Sequence, residues 1–198
     1  MGAAETGIGG TGTPAFAAVD VHYPGSGGAL AALVLAGDRA FSQILAQKTA
    51  FVPQVAAYVP GQFFQRELPP IRAVLAEVTG IELLVIDGYV DLAPDRTPGL
   101  GARVHAEFGV PVVGVAKTFF ATATHAIPVV RGRATRPLYV TAAGLPAAEA
   151  AELIQQMSGR FRMPDALRQV DALARRRVGT GKLATSRLAL PDRLPGWG

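Results

Sequence analysis

Apolar residues fall into short runs broken by glycine and proline, and the spacing within each run predicts the element it builds. Residues 15–23 (AFAAVDVHY) alternate towards their end, the period-2 pattern of a strand. Pro24-Gly25-Ser26-Gly27-Gly28 is a turn cluster, and residues 29–36 (ALAALVLA) return as a second strand. Gly37-Asp38 predicts another turn, followed by a third strand over residues 40–48. Three strands joined by tight turns make an antiparallel meander. Residues 49–62 hold two prolines and a glycine and predict an irregular connection.

From Phe63 to Val78 the period lengthens to that of a helix, with Phe64, Leu68, Ile71, Val74, Leu75 and Val78 on one broad face. Pro69-Pro70 interrupts the run, so the helix proper is expected to start there. Residues 82–86 (ELLVI) and 110–115 (VPVVGV) are nearly continuous apolar runs, as in strands covered on both faces. A Gly/Pro/Asp-rich loop over residues 88–101 and a short helix over 101–108 separate them. Residues 126–131 and 136–141 predict a hairpin around Gly132-Arg133. Residues 146–157 and 164–177 predict helices, with Pro146 and Pro164 at first helical positions. A meander followed by β-α-β units gives an α/β fold: a mixed central sheet, three antiparallel strands and then parallel ones, flanked by helices. No repeat is visible.

Composition narrows the possible chemistry. The 198 residues suit a single domain, and the absence of cysteine excludes disulfides, thiolate metal sites and a thiol nucleophile. No apolar run approaches the ~18 residues of a membrane span. Residues 1–13 lack the basic-then-apolar order of a secretion signal, so a cytoplasmic location is expected. Residues 1–13 and 179–198, without sustained period, are expected to be flexible flanks of a domain over 14–178. The net charge of +4 hides an asymmetry. Residues 1–99 carry five Lys/Arg against nine Asp/Glu, net −4, while residues 100–198 carry fourteen against six, net +8. A basic half attracts phosphate, although a solvated arginine-rich surface has the same composition.

Four acids stand out by position. Asp20 interrupts an apolar strand, Glu67 lies at or just before the first helix, Asp87 ends a buried strand, and Asp171 sits between apolar positions of the last helix. A carboxylate among apolar neighbours is costly unless paired or metal-bound. Mg²⁺ takes oxygen ligands, few carboxylates plus substrate phosphate, and two such ions can clamp a phosphodiester. Taken singly, each acid has a plainer reading. Asp87-Gly88 is a turn former, Glu67 a helix cap, and Asp171 a solvated helix residue. No Ser-His-Asp arrangement and no Walker or Rossmann glycine pattern occurs.

Six segments in order resemble the endonuclease V family: Val19-Asp20-Val21, Ala57-Tyr58-Val59-Pro60-Gly61, Phe64-Gln65-Arg66-Glu67-Leu68-Pro69, Val85-Ile86-Asp87-Gly88, Gly114-Val115-Ala116-Lys117-Thr118 and Leu138-Tyr139-Val140-Thr141-Ala142-Ala143-Gly144. With Asp171 in the last helix, the resemblance covers roughly residues 15–177. The resemblance implies an RNase H-like fold and a metal-dependent endonuclease, Mg²⁺ with Mn²⁺ able to substitute, cutting 3′ to a deaminated purine in DNA repair. It implies that Asp20 and Asp87 are central metal ligands and that Glu67 and Asp171 complete the site. Lys117 would meet the scissile phosphate. Tyr58 and Pro60 would form the wedge that fills the space of an extruded base, and Gly61, Gly88 and His105 would contact nucleic acid. The implied partner is DNA with deaminated bases, or inosine-containing RNA, met by a monomer without a membrane.

The sequence departs from the family's pattern in two places. Ala57-Tyr58-Val59-Pro60 stands where typical members read Pro-Tyr-Ile-Pro, and Val90 stands where many have glycine, which is expected to reshape the base pocket. These departures keep two alternatives open: a binding module without catalysis on the same fold, or a nuclease of other preference.

Overall fold

The computed structural model describes residues 15–57, 59 and 64–176. The expected flanks 1–13 and 179–198, and Tyr58, Pro60 and Gly61, lie outside the described residues. Seven strands form one sheet: β1 (Ala15–His22), β2 (Ala29–Ala36), β3 (Ile44–Val52), β4 (Ile81–Asp87), β5 (Val112–Ala116), β6 (Ile127–Val129) and β7 (Leu138–Ala143), in the order β3-β2-β1-β4-β5-β7-β6. The β1-β2-β3 meander is antiparallel, β1 pairs parallel to β4 and β4 to β5, and the β6–β7 hairpin closes the far edge antiparallel to β5. The helices are α1 (Phe64–Leu75), α2 (Leu100–Phe108), α3 (Ala147–Gln156) and α4 (Asp165–Ala174). This is the expected mixed sheet flanked by helices.

Strand alternation sorts the core into two layers. Ala17, Val19, Leu33, Leu84, Ile86 and Val112 pack under α1 and α2. Phe16, Ala18, Val34, Val85, Val113 and Val140 pack under α3 and α4. The central strands β4 and β5, covered on both faces, are the continuous apolar runs of the sequence.

Several boundaries differ from expectation, most clearly at β3, α1, α3 and α4. β3 begins at Ile44 rather than residue 40, because Asp38 organises a longer turn. Its carboxylate accepts from the backbone N–H of Ser42 (3.1 Å) and of Gln43 (2.9 Å), while Phe41 buries its ring. α1 begins at Phe64 and carries Pro69 and Pro70 inside it, rather than starting there. An interior proline costs about 3 kcal/mol. Burial of Ile71, Val74 and Leu75 offsets this, at roughly 1.5–3 kcal/mol each. Pro146 and Pro164 are extended residues just ahead of α3 and α4, one position earlier than expected. No helix among the described residues is long and apolar enough to cross a membrane.

Candidate active site

Two adjacent strands end in acid. β1 and β4 run parallel with Val19 opposite Ile86, so the next residues, Asp20 and Asp87, stand side by side, about 4.8 Å being the usual strand spacing. They lie at the carboxyl ends of the strands, where open α/β sheets bind ligands. Alternation puts both on the α4 side: Phe16 and Ala18 precede Asp20, Leu83 and Val85 precede Asp87, and all four belong to the layer under α3 and α4. β5 adds a cation by the same rule. Val113 and Val115 are buried in that layer, and Lys117 follows two residues on, just past the strand. Its Nζ donates to Asp87 Oδ2 at 2.5 Å. Val19, Asp20, Asp87, Val115 and Lys117 line a small cleft closed by Met163, Leu167 and Val170.

Asp171, next to Val170 on α4, brings its charge to bear on both Asp20 and Lys117. Arg175, one turn on, donates from Nε to both Asp171 carboxylate oxygens at 3.0 Å. Glu67 comes from α1 on the opposite face and is almost wholly buried, with 6% of its surface exposed. The Tyr23 ring lies beside it, with the Arg66 guanidinium 4.3 Å from the ring centroid. The Tyr23 hydroxyl is buried without a hydrogen bond of normal geometry, yet close enough to Glu67 for the two to influence each other's charge.

The site holds more negative charge than it neutralises. Burial, then the Asp87 charge, pushes the Asp20 carboxyl up to about 6, with Asp171 adding; the Val21 N–H and Lys117 oppose the rise. Burial pushes Glu67 up to about 8; Tyr23 and Arg66 oppose the rise, and the charges of Asp20 and Asp87 add to it. Burial alone would lower the Lys117 ammonium, but its hydrogen bond to Asp87 and the charges of Asp87, Asp20 and Asp171 push it up. Among the described residues no three acid or histidine side chains are gathered tightly enough to enclose an ion. The arrangement is a carboxylate pair with one further acid on either side. Such a pair fits Mg²⁺, which uses one or two carboxylates and keeps its remaining positions for water and phosphate. Asp20, Asp87, Glu67 and Asp171 are oxygen donors only, as a hard cation requires.

Behind the acids, the turn after β4 is built from backbone contacts. Gly88, at φ +127°, adopts a conformation that side chains disfavour, and its N–H donates to Val115 O at 3.0 Å. A side chain at Gly114 would stand 2.6 Å from Gly88 O and 2.8 Å from Val90 N, so only glycine lets β5 pass so close beneath the turn. Val90 N–H donates to Thr141 Oγ1 at 2.8 Å, and the Val90 side chain is fully buried against Gly101. Its side chain therefore packs in the layer under α2.

His105 is not brought to the site. It lies in the last turn of α2, where Nδ1 pairs with Val110 O at 2.7 Å, ahead of β5 and at the opposite end of that strand from Lys117. Its position is explained by tying α2 to β5. Of the sequence-predicted residues, Asp20, Asp87, Glu67, Asp171 and Lys117 converge, with Gly88 adjoining them. Tyr23 and Tyr89 were not anticipated. Tyr23 has the strand parity of Val19 and Val21, which puts it on the α1 face with Glu67, so that signal was present in the sequence. Tyr89 bridges the loops after β4 and β5, donating to Thr118 O at 2.8 Å and accepting from Phe120 N–H at 3.1 Å. No short-range pattern encodes that bridge.

The sheet order defines an RNase H-like α/β fold with acids at the ends of its central strands. A sequence model of the endonuclease V family matches residues 10–145. Endonuclease V of Azotobacter vinelandii is 30% identical over 183 residues, covering 82% of this chain and 82% of its own length. That of Streptomyces coelicolor is 32% identical over 187 residues, covering 93% and 74%. The chain superposes on the crystal structure of Streptomyces avermitilis Endonuclease V with a TM-score of 0.69 at 27% identity, covering 83% of this chain and 81% of the other. Ciona intestinalis Endonuclease V, in complex with DNA containing an inosine, shares the fold at a TM-score of 0.68 and 14% identity, over 81% of this chain and 83% of that one. The chain belongs to the endonuclease V family and is an endonuclease.

Proposed function

We propose that this endonuclease is Mg²⁺-dependent and hydrolyses the phosphodiester 3′ to a deaminated purine in DNA. The observation that carries the reading is the convergence of Asp20, Asp87, Glu67 and Asp171 with Lys117 at one end of the sheet. The Ciona intestinalis relative, seen with inosine-containing DNA, supports the choice of lesion. Asp20 and Asp87 would hold Mg²⁺, with Mn²⁺ able to substitute, flanked by Glu67 and Asp171. When bound, the metal polarises a phosphoryl oxygen and acidifies a water.

The chain's own groups do the rest. Lys117 keeps a full charge at neutral pH and sits where a scissile phosphate would meet the acids, so it stabilises charge developing on phosphoryl oxygen. Glu67, buried and pushed up to about 8 in the metal-free chain, would give up its proton as the ion binds and serve as an oxygen donor beside it. Tyr58 and Pro60 are proposed to fill the space of the extruded base, which a damaged pair releases more cheaply, and Gly61 to let the backbone approach that base.

Cleavage of end-labelled oligonucleotides carrying one deoxyinosine, one ribo-inosine or neither, in Mg²⁺, Mn²⁺ or EDTA, tests the reading. Cutting is expected at deoxyinosine, 3′ to the lesion, and is lost in EDTA. Equal cutting of unmodified strands, or cutting indifferent to EDTA, overturns it. Cutting confined to ribo-inosine moves the substrate to RNA.

A further inference from the structure

We propose that the α3–α4 loop and the β6–β7 hairpin form a second nucleic-acid contact, a cationic groove that seats the phosphates and one unstacked base of a single strand adjoining the cut site. The inference rests on the nuclease reading for its class of ligand. Arg133, Ala134, Arg160, Phe161 and Arg162 line an open groove of about 680 Å³. Arg133 and Arg160 are exposed and make no ion pair with described residues. Phe161 leaves 46% of its surface in solvent. The guanidinium carbons of Arg160 and Arg168 stand 5.0 and 4.6 Å from its centroid.

The loop is built to hold these side chains outward. Arg131, 3% exposed, reaches under it and donates to the carbonyls of Phe161 (3.0 Å), Gly159 (3.1 Å) and Met157. With its carbonyls gathered inward on one guanidinium, the loop turns Arg160 and Phe161 to the surface. The groove also borders the catalytic cleft. Arg162 donates to the carbonyls of Lys117 and Pro137, and the next residue, Met163, lines the cleft with Asp20 and Asp87. A strand with one phosphate at Lys117 therefore carries its neighbours towards Arg133 and Arg160. Arginines pair with phosphate, while an exposed ring and guanidinium planes stack a base. Bases inside a duplex cannot reach such a ring, so the chemistry selects a single strand.

The test is binding of a short fluorescein-labelled oligothymidylate, without lesion and in EDTA, followed by anisotropy across a salt series. Arg133→Ala and Arg160→Ala are each expected to lower the slope of log Kd against log salt by about 0.7. Phe161→Ala is expected to weaken binding about tenfold, with Phe161→Trp restoring it and duplex binding unmoved by either. Circular dichroism checks that each variant is folded. Wild-type affinity and salt slope in all three alanine variants overturn the groove. A wild type that fails to cut inosine DNA while the variants lose oligothymidylate binding sinks the inosine reading and leaves the groove standing. A wild type that cuts, with variants that bind normally, does the reverse.

Discussion

Asp20 is the residue on which most of the site turns. Its carboxyl holds a proton up to about 6 and that of Glu67 up to about 8, both above the ordinary carboxylate range. Between that range and those values the folded chain binds more protons than the unfolded chain. Without metal, stability therefore falls as pH rises from about 4 to about 8 and levels beyond. Melting temperatures in EDTA across that window check the sign; a flat or rising profile refutes it. Asp20→Asn removes one of the repelling charges and keeps an oxygen for the Val21 N–H, which donates at 2.9 Å in the native chain. It is expected to raise the metal-free melting temperature by roughly 2–4 °C per kcal/mol relieved and to abolish cleavage. Full activity in Asp20→Asn removes this residue from the site. Lys117→Ala is expected to lower kcat by roughly a hundredfold or more with little change in KM; an effect confined to KM would make Lys117 a binding group only.

At the scale of elements, the decisive contact is the crossing of β5 beneath the turn after β4. Gly114 has no room for a side chain against Gly88 O and Val90 N, and those atoms are backbone, which cannot rotate away. Gly114→Ala is expected to destabilise the chain by about 1–3 kcal/mol. It should also reduce cleavage at temperatures where the variant is still folded, because the turn that carries Asp87 must shift. Chemical denaturation with parallel single-turnover assays separates the two effects; lost stability with unchanged turnover would show that the turn position does not govern catalysis. The boundary differences belong to this scale too. The Gly37-Asp38 turn is legible in sequence, but its length depends on the Asp38 carboxylate reaching Ser42 and Gln43. The Pro69-Pro70 pair reads as a boundary, but the buried face of α1 overrides it.

At the scale of the molecule, the seven strands and four helices found among the described residues run from Ala15 to Ala174. We expect a chain cut to residues 14–178 to melt within a few degrees of the full chain and to cut the same substrate. A larger loss, measured by calorimetry, would show that the flanks belong to the folded unit. The charge asymmetry also acquires a location at this scale. Arg131, Arg133, Arg160, Arg162 and Arg168 come from two separate stretches of the basic half, and the fold gathers them beside the cleft lined by Asp20 and Asp87. One of them, Arg131, is an internal brace rather than a surface charge.

The sequence alone determined the element types and the mixed sheet and marked the acids as candidates, because period-2 and helical spacing are local and an aspartate inside an apolar strand is visible where it stands. It could not determine which acids meet. Asp20 and Asp87 are sixty-seven residues apart, and only the parallel register of Val19 with Ile86 brings them together. Nor could it separate His105, bound to Val110 behind β5, from the site, or tell that Val90 faces the core. The arginine-rich loop was legible as charge, but its orientation was set by tertiary structure. A buried guanidinium from the β6–β7 hairpin collects the loop's carbonyls, and that long-range hydrogen bonding decides which side chains face the solvent.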